Sequence, residues 1–271
     1  MKSISGRIKA RFKRKPVVSV IRLEGAIGGG GRFNGRGLND AAMAPVIEKA
    51  FHKGNPKAVA LLINSPGGSP VQSSLIAARI RRLAEETETP VYAFCEDVAA
   101  SGGYWLACAA DEIYVDRSSI IGSIGVIMAS FGFQDLLAKH GVERRVHTAG
   151  KNKSFADPFK AETPADVKKI KALQNDIHES FIEHVKQARG DKLSDKDLFT
   201  GDIWVGQKGV DVGLADGVGH LVPFMKGKFG EKTRFSVHGA KRGLFSRLGS
   251  QLTDTLTDSV EERALWARFG L

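Results

Sequence analysis

The feature that most limits the fold is an alternation. Through the first 150 residues, short apolar runs of strand length take turns with stretches of helical spacing. Residues 17–23 (VVSVIRL), 58–63 (AVALLI), 91–95 (VYAFC) and 112–115 (EIYV) read as strands. Between them, residues 41–53, capped by Asp40, and residues 69–86 read as helices, and 104–110 as a short apolar helix. This is the βαβ rhythm of a parallel sheet, in which the turns at the carboxyl ends of the strands host ligands. Further along, the expectation is an extended stretch at 118–133, a short helix at 136–140, a strand at 143–148 and a long polar helix at 164–189. Short helices follow at 195–198 and 205–208. No repeat of 20–50 residues interrupts the pattern. At 271 residues the chain suits one α/β domain with a helical extension.

Composition removes several classes. Two cysteines, Cys95 and Cys108, both in apolar runs, exclude a disulfide scaffold and a four-cysteine zinc site and read as buried thiols. No run of about 18 apolar residues is present to cross a bilayer. The basic N-terminal stretch has no apolar segment behind it, so it does not read as an export signal, and a cytoplasmic location is expected. The net charge of +10 is unevenly placed. Residues 1–15 carry +7, residues 225–248 carry +6, residues 249–271 carry −2, and residues 16–224 carry −1. A near-neutral body argues against a nucleic-acid groove. The division expected from this is a basic arm at 1–16, a globular domain at 17–224 and a basic, amphipathic tail at 225–271. Basic ends suit an anionic membrane surface, at about 1 kcal/mol per base. In the tail, Leu244, Phe245, Leu248, Leu252 and Leu256 form an apolar stripe of helical period, with Trp266 and Phe269 beyond it. Such a stripe can lie on a membrane or pack on a neighbouring subunit.

Three glycine-containing turns follow apolar segments, at 64–68, 100–103 and 122–125. Paired glycines let backbone N–H groups approach one ligand oxygen, the requirement for an oxyanion hole. Ser101 stands just before Gly102-Gly103 at the start of an apolar helix, where it is either a nucleophile or a plain helix cap. The four glycines at 28–31 lack the Lys-Ser or Lys-Thr of a phosphate-binding loop, and no Gly-x-Ser-x-Gly elbow occurs. Of the seven histidines only His147 comes near this region, so the remaining candidate base is a lysine, Lys151 or Lys153. A lysine serves as a base only where burial leaves it a neutral amine.

The stretches Asn64–Gly68 (NSPGG), 100–104 (ASGGY), 122–126 (GSIGV) and the Gly-x-x-Lys of Gly150 and Lys153, in this order, resemble the signal peptide peptidase A family. These are serine–lysine peptidases of Clp/crotonase-type fold, a ββα superhelix with a parallel sheet. The resemblance runs from about residue 17 to residue 222. It implies that Ser101 is the nucleophile and Lys153 the general base, with Lys151 as rival. Ser123 orients the lysine, Gly68 and Gly102 supply the oxyanion hole, and Gly67 and Asn64 shape the turn. It further implies a serine endopeptidase acting on peptides, such as signal-peptide remnants or unfolded segments, with no cofactor and no metal. A single copy of each motif resembles members that assemble as ring-shaped homo-oligomers, serine and lysine coming from adjacent protomers. Two alternatives stand beside this. One is a crotonase-like acyl-CoA hydratase or isomerase, which gives Ser101 and Lys153 no task. The other is a non-catalytic membrane-associated scaffold, which has no chemical reason to keep both.

Overall fold

The computed structural model describes residues 15–28, 38–239 and 263–271. Among them, eight strands form one sheet: β1 (Val17–Glu24), β2 (Ala58–Ser65), β3 (Val91–Ala100), β4 (Glu112–Val115), β5 (Ile120–Gly122), β6 (Ile203–Val205), β7 (Gly217–Val218) and β8 (Arg234–His238). The order is β6-β5-β3-β2-β1-β8, with β4 also on β3 and β7 on β4. Every pairing is parallel except β5 with β6. The helices are α1 (Asp40–His52), α2 (Pro70–Glu86), α3 (Gly102–Ala107), α4 (Gln134–Lys139), α5 (Pro164–Arg189), α6 (Gln207–Asp211) and α7 (Leu221–Phe229).

The sheet is covered on both faces, which is why its central strands read as unbroken apolar runs. Alternate residues point to opposite sides. Ile21, Leu23, Leu61, Ile63, Val91 and Ala93 share one core with α1, α2 and α3, whereas Val18, Val20, Ala58, Ala60, Tyr92 and Phe94 pack against Met225 and Phe224 of α7. Both cysteines are buried, and burial pushes each thiol up to about 12, so neither ionises near neutrality.

Two features of β3 position the site. The strand splays: residues 92–95 pair with β4 and residues 98–100 pair with β5, setting Ala100 beside Gly122. The β2–β3 register also slips by a bulge at Asn64. Asn64 fills it by accepting from the Val98 N–H (3.2 Å) and donating to the Asp97 carboxylate (2.8 Å). Asn64 therefore does shape this turn, by bonds to the neighbouring strand rather than to its own backbone.

Several elements differ from the sequence reading. Asn39, not Asp40, caps α1: its side chain accepts from the Ala42 N–H, while Asp40 takes a bidentate pair of bonds from Arg79 (2.8 and 2.7 Å). Residues 143–148 form no strand and are exposed throughout: they pair with no strand among the described residues, and their backbone is left to water. Residues 195–198 are not helical. Part of the stretch expected in the basic tail is built into the sheet. Residues 225–238 hold the end of α7 and all of β8, and β8 runs parallel to β1 from Val17↔Arg234 to Ile21↔His238. An edge strand tolerates the charge that made this stretch look like a tail. The long helix α5 has the expected bounds, set by a capping box between Thr163 and Asp166 and by Gly190 at its end. Its last turn is anchored by Arg189, which donates to the Gly213 carbonyl (2.9 Å) and the Asp216 carboxylate (2.8 Å). Burial pushes the Asp216 carboxyl upward, but its bonds from Arg189, Lys192 and the Ile113 N–H outweigh this and hold it below the usual range.

Candidate active site

Ser101 is the single residue between the end of β3 and the start of α3. Its backbone lies at φ 51° and ψ −122°, a region that costs a non-glycine residue about 1–3 kcal/mol. It is held there from both sides. The Ser101 N–H donates to the Gly122 carbonyl (2.8 Å), and the Ser101 carbonyl accepts from the Trp105 N–H (3.0 Å). The side chain makes no cap bond to the helix, so the plain-cap reading fails. A sharp strand-to-helix turn with a strained serine is the device that lifts a nucleophilic hydroxyl out of the backbone.

The turn after β2 faces it. Gly67 (φ 104°) and Gly68 (φ 142°) both need left-handed backbone. A Cβ on Gly67 would meet the Ser101 Cβ at 2.8 Å, and one on Gly68 would meet the Ile27 carbonyl oxygen at 2.1 Å. Ile27 clamps the turn by donating to the Gly67 carbonyl (2.8 Å) and accepting from the Ser69 N–H (2.8 Å). The Gly68 N–H between them makes no bond among the described residues. Gly102 opens α3, so its N–H also lacks an intrahelical acceptor. Gly68, Ser101 and Gly102 line one cavity of about 240 Å³.

The cavity wall is apolar, with Trp105 from α3, Ile177 and Phe181 from α5, and Val126 and Ile127 beyond β5. Trp105 stacks on Phe181 (4.8 Å between centroids) and on His184 (4.9 Å). Two histidines missed in the sequence bind α5 to this wall. His178 Nε2 donates to the Ile124 carbonyl (3.1 Å) and His184 Nε2 to the Trp105 carbonyl (3.0 Å). Burial holds the His184 imidazole below its usual pKa, so it stays neutral and keeps that donor. The four-residue spacing of Ile177, Phe181, Val185 and Arg189 was the sequence signal for this face of α5.

Ser123 leaves β5 as Ser101 leaves β3, so the two serines start from adjoining strand ends. Ser123 is 6% exposed, also at positive φ (50°), and its N–H donates to the Asp202 carbonyl (2.7 Å). The lysines are elsewhere. Lys151 and Lys153 are exposed on a protruding stretch, residues 126–163, and neither lines the serine cavity. The single chain thus gathers Ser101, Gly68, Gly102 and Ser123 and leaves Lys153 apart. That stretch also exposes Phe131 (78%), Ile127 (66%), Val142 (53%) and Leu136 (52%).

The sequence profile of peptidase family S49 matches residues 84–225, just over half of the chain and including Ser101, Ser123 and Lys153. The chain belongs to peptidase family S49. Among similar S49-related sequences, the serine protease SPPA of Arabidopsis thaliana chloroplasts is 34% identical over 61% of this chain and 24% of its own length. Protease 4 of Haemophilus influenzae is 32% identical over 74% of this chain and 32% of its own. A protein of Brucella melitensis named as the Na(+)/H(+) antiporter NhaA is 47% identical over 97% of this chain, which spans 38% of that protein. In fold, this S49 chain resembles the 1510-N membrane-bound stomatin-specific protease, with a TM-score of 0.51 and 14% identity over 85% of this chain and all of that one. The parallel-dominated α/β architecture is that of the Clp/crotonase-type fold. No described helix is long and apolar enough to cross a membrane.

Proposed function

We propose that this chain is a serine endopeptidase in which Ser101 attacks the peptide carbonyl and Lys153 is the general base. The observation that carries the reading is the strained Ser101 at a strand-to-helix turn, beside two N–H groups, of Gly68 and Gly102, that line the same cavity. As Ser101 Oγ bonds to the carbonyl carbon, its proton passes to the neutral Lys153 amine, and the oxyanion is held by the N–H groups of Gly68 and Gly102. The lysine returns the proton to the departing amine as the C–N bond breaks. Water, deprotonated by the same amine, then releases the acyl group and restores Ser101. Ser123 hydrogen-bonds and orients the lysine. The catalytic unit runs from residue 17 to 238, and its substrates are peptides or unfolded segments, signal-peptide remnants among them.

The base comes from a second copy. Lys153 is exposed and outside the serine cavity in the lone chain, and the apolar side chains around it are uncovered. A neighbour seated on residues 126–163 buries Phe131 and Ile127 and strips water from a lysine, the condition for a neutral amine. Repetition of that contact closes a ring. Residues 1–14 of the basic arm and the apolar stripe at 244–256 lie outside the described residues; in this reading they hold the assembly to an anionic membrane surface on its cytoplasmic side, which vesicle flotation at low and high salt tests. The antiporter name of the Brucella protein belongs to a chain of which this one spans 38%. The hydratase alternative places its chemistry on carboxylates, and none of the described residues lining the cavity at Ser101 is one.

A fluorophosphonate probe with mass mapping tests the nucleophile: labelling at Ser101, lost in Ser101→Ala, is expected, and labelling elsewhere overturns the assignment. Mixing Ser101→Ala with Lys153→Ala chains tests the shared site, since activity returns only where one intact serine meets one intact lysine from another chain.

A further inference from the structure

Part of the wall of the cavity at Ser101 comes from residues far along the chain. Leu265 and Arg268 line it together with Ser101 and Gly102, although more than 160 residues separate them in sequence. They belong to a compact segment, residues 263–271, which is helical over 263–267. The segment is closed by bonds from the Phe269 N–H to the Trp266 carbonyl (2.9 Å) and from the Gly270 N–H to the Ala267 carbonyl (3.1 Å). Its exposure is one-sided. Leu265, Trp266 and Phe269 are half-buried, while Arg263, Ala264, Ala267 and Arg268 are exposed. Leu265 is the half-buried apolar residue of the segment that reaches the cavity, and Arg268, three positions on and so on the same side of the turn, lies at its rim. The chemistry of the two sides agrees. The wall offers Pro66, Pro70, Val126, Ile127 and Phe181, and Leu265 supplies an aliphatic side chain to it. Among the described residues no carboxylate lines the cavity, and the guanidinium of Arg268 lies toward the Phe269 ring (5.9 Å).

We propose that the groove at Ser101 is a docking site for the chain's own segment 263–271, which holds it in competition with peptide. The docking stands on the geometry above; the competition rests on the peptidase reading. A ligand tethered to its own receptor has a local concentration of about 1 mM, so a segment that binds in trans with a Kd of about 0.1 mM occupies the groove roughly ten times in eleven and raises the apparent KM about tenfold. The segment is therefore a built-in competitor that a tightly bound substrate displaces and a weak one does not.

The test uses the full chain and Leu265→Asp, with Leu265→Ala as a milder second variant. Amide hydrogen exchange at residues 66–70 and 177–181 reads docking without reference to catalysis. The expected result is faster exchange there in Leu265→Asp, a smaller change in Leu265→Ala, and protection restored by a synthetic peptide of residues 261–271. Cleavage of a fluorogenic peptide should show KM falling about tenfold with kcat unchanged. Unaltered exchange in both variants, with no protection by the added peptide, overturns the proposal. Protection that disappears on dilution also overturns it, because the segment then docks on another copy. If exchange changes as expected but neither the wild type nor the variants cleave peptide, the docking stands and the peptidase reading falls.

Discussion

Residues 58–125 and residues 126–163 adjoin in sequence and differ in almost every physical respect. The first stretch satisfies itself. Its strands are paired, its side chains lie in two cores, and its glycine turns meet at backbone distances that exclude a Cβ. The second stretch has one short helix, α4, no buried residue in it, and large apolar side chains facing water. The contrast assigns different origins to the two halves of the candidate dyad. The serine and its N–H partners are products of intrachain folding. The lysine sits on a surface that the described residues leave open, and in the proposed assembly a neighbouring chain covers it, as exposed apolar patches mark subunit contacts.

The sharpest way to break this comparison is Ser101→Ala. Peptide cleavage should fall by about 10⁴-fold or more. The melting curve should shift little, because the Ser101 side chain holds no cap bond to lose. A large loss of stability would mean that the hydroxyl is structural, and the self-contained half would then not be a preorganised site.

Next in size is the anchor that ties α5 to the closed region. Arg189→Met leaves the Asp216 carboxylate without its buried guanidinium and should destabilise by about 3–5 kcal/mol, measured by denaturant unfolding. Arg189→Met combined with Asp216→Leu removes both charges and should recover much of that loss. If the double variant is no better than the single one, the pair is not the unit that holds α5 against Trp105.

The open half is probed by Phe131→Glu, at 78% exposure the most solvated large apolar side chain described there. Folding stability of the single chain should change by under about 0.5 kcal/mol. Sedimentation should report dissociation of the assembly, and activity should fall at least tenfold as the lysine is left unburied. A monomer with full activity would return Lys153 to its own chain's serine and remove the distinction between the halves.

What could be read in the sequence follows the same division. The central strands were legible because burial on both faces makes them continuous apolar runs, and α5 because Thr163-Pro164 and Gly190 mark its ends. The turn at Ser101 was legible from the glycines that let the 64–68 turn approach it, while the role of Ser101 came from the resemblance alone. Asn39 was passed over for Asp40 because neighbouring side chains can both accept an N–H, and the choice was made by Arg79, distant in sequence. Residues 143–148 carry the β-branched Val146 and Thr148, which suit a strand, but propensity makes no strand without an edge to pair with. β8 was hidden by its charges. His178 and His184 were unreadable for another reason: a histidine on a polar helix gains its meaning only when that helix docks on particular carbonyls.

His184 gives the smallest expected effect and tests the seam where α5 closes the cavity. It is stacked on Trp105 and donates to the Trp105 carbonyl, and burial lowers its pKa. A group with a folded pKa below its unfolded value stabilises the fold fully above the unfolded value, about 6.5 for histidine. That contribution is lost as pH falls from there toward the folded pKa, because the unfolded chain binds the proton first. Stability should therefore decline below about pH 6.5 with a slope from this group of at most about 1.4 kcal/mol per pH unit. Asp216, held below the usual carboxylate range, adds its own loss only below about pH 4. His184→Gln keeps an N–H donor for the Trp105 carbonyl but cannot titrate. Urea unfolding at pH 7.5 and pH 5 should show the wild type losing stability between the two and the Gln variant losing less. Equal losses in both would mean that His184 does not titrate with folding, and that the wall beside Ser101 is closed by the Trp105–Phe181 stack alone.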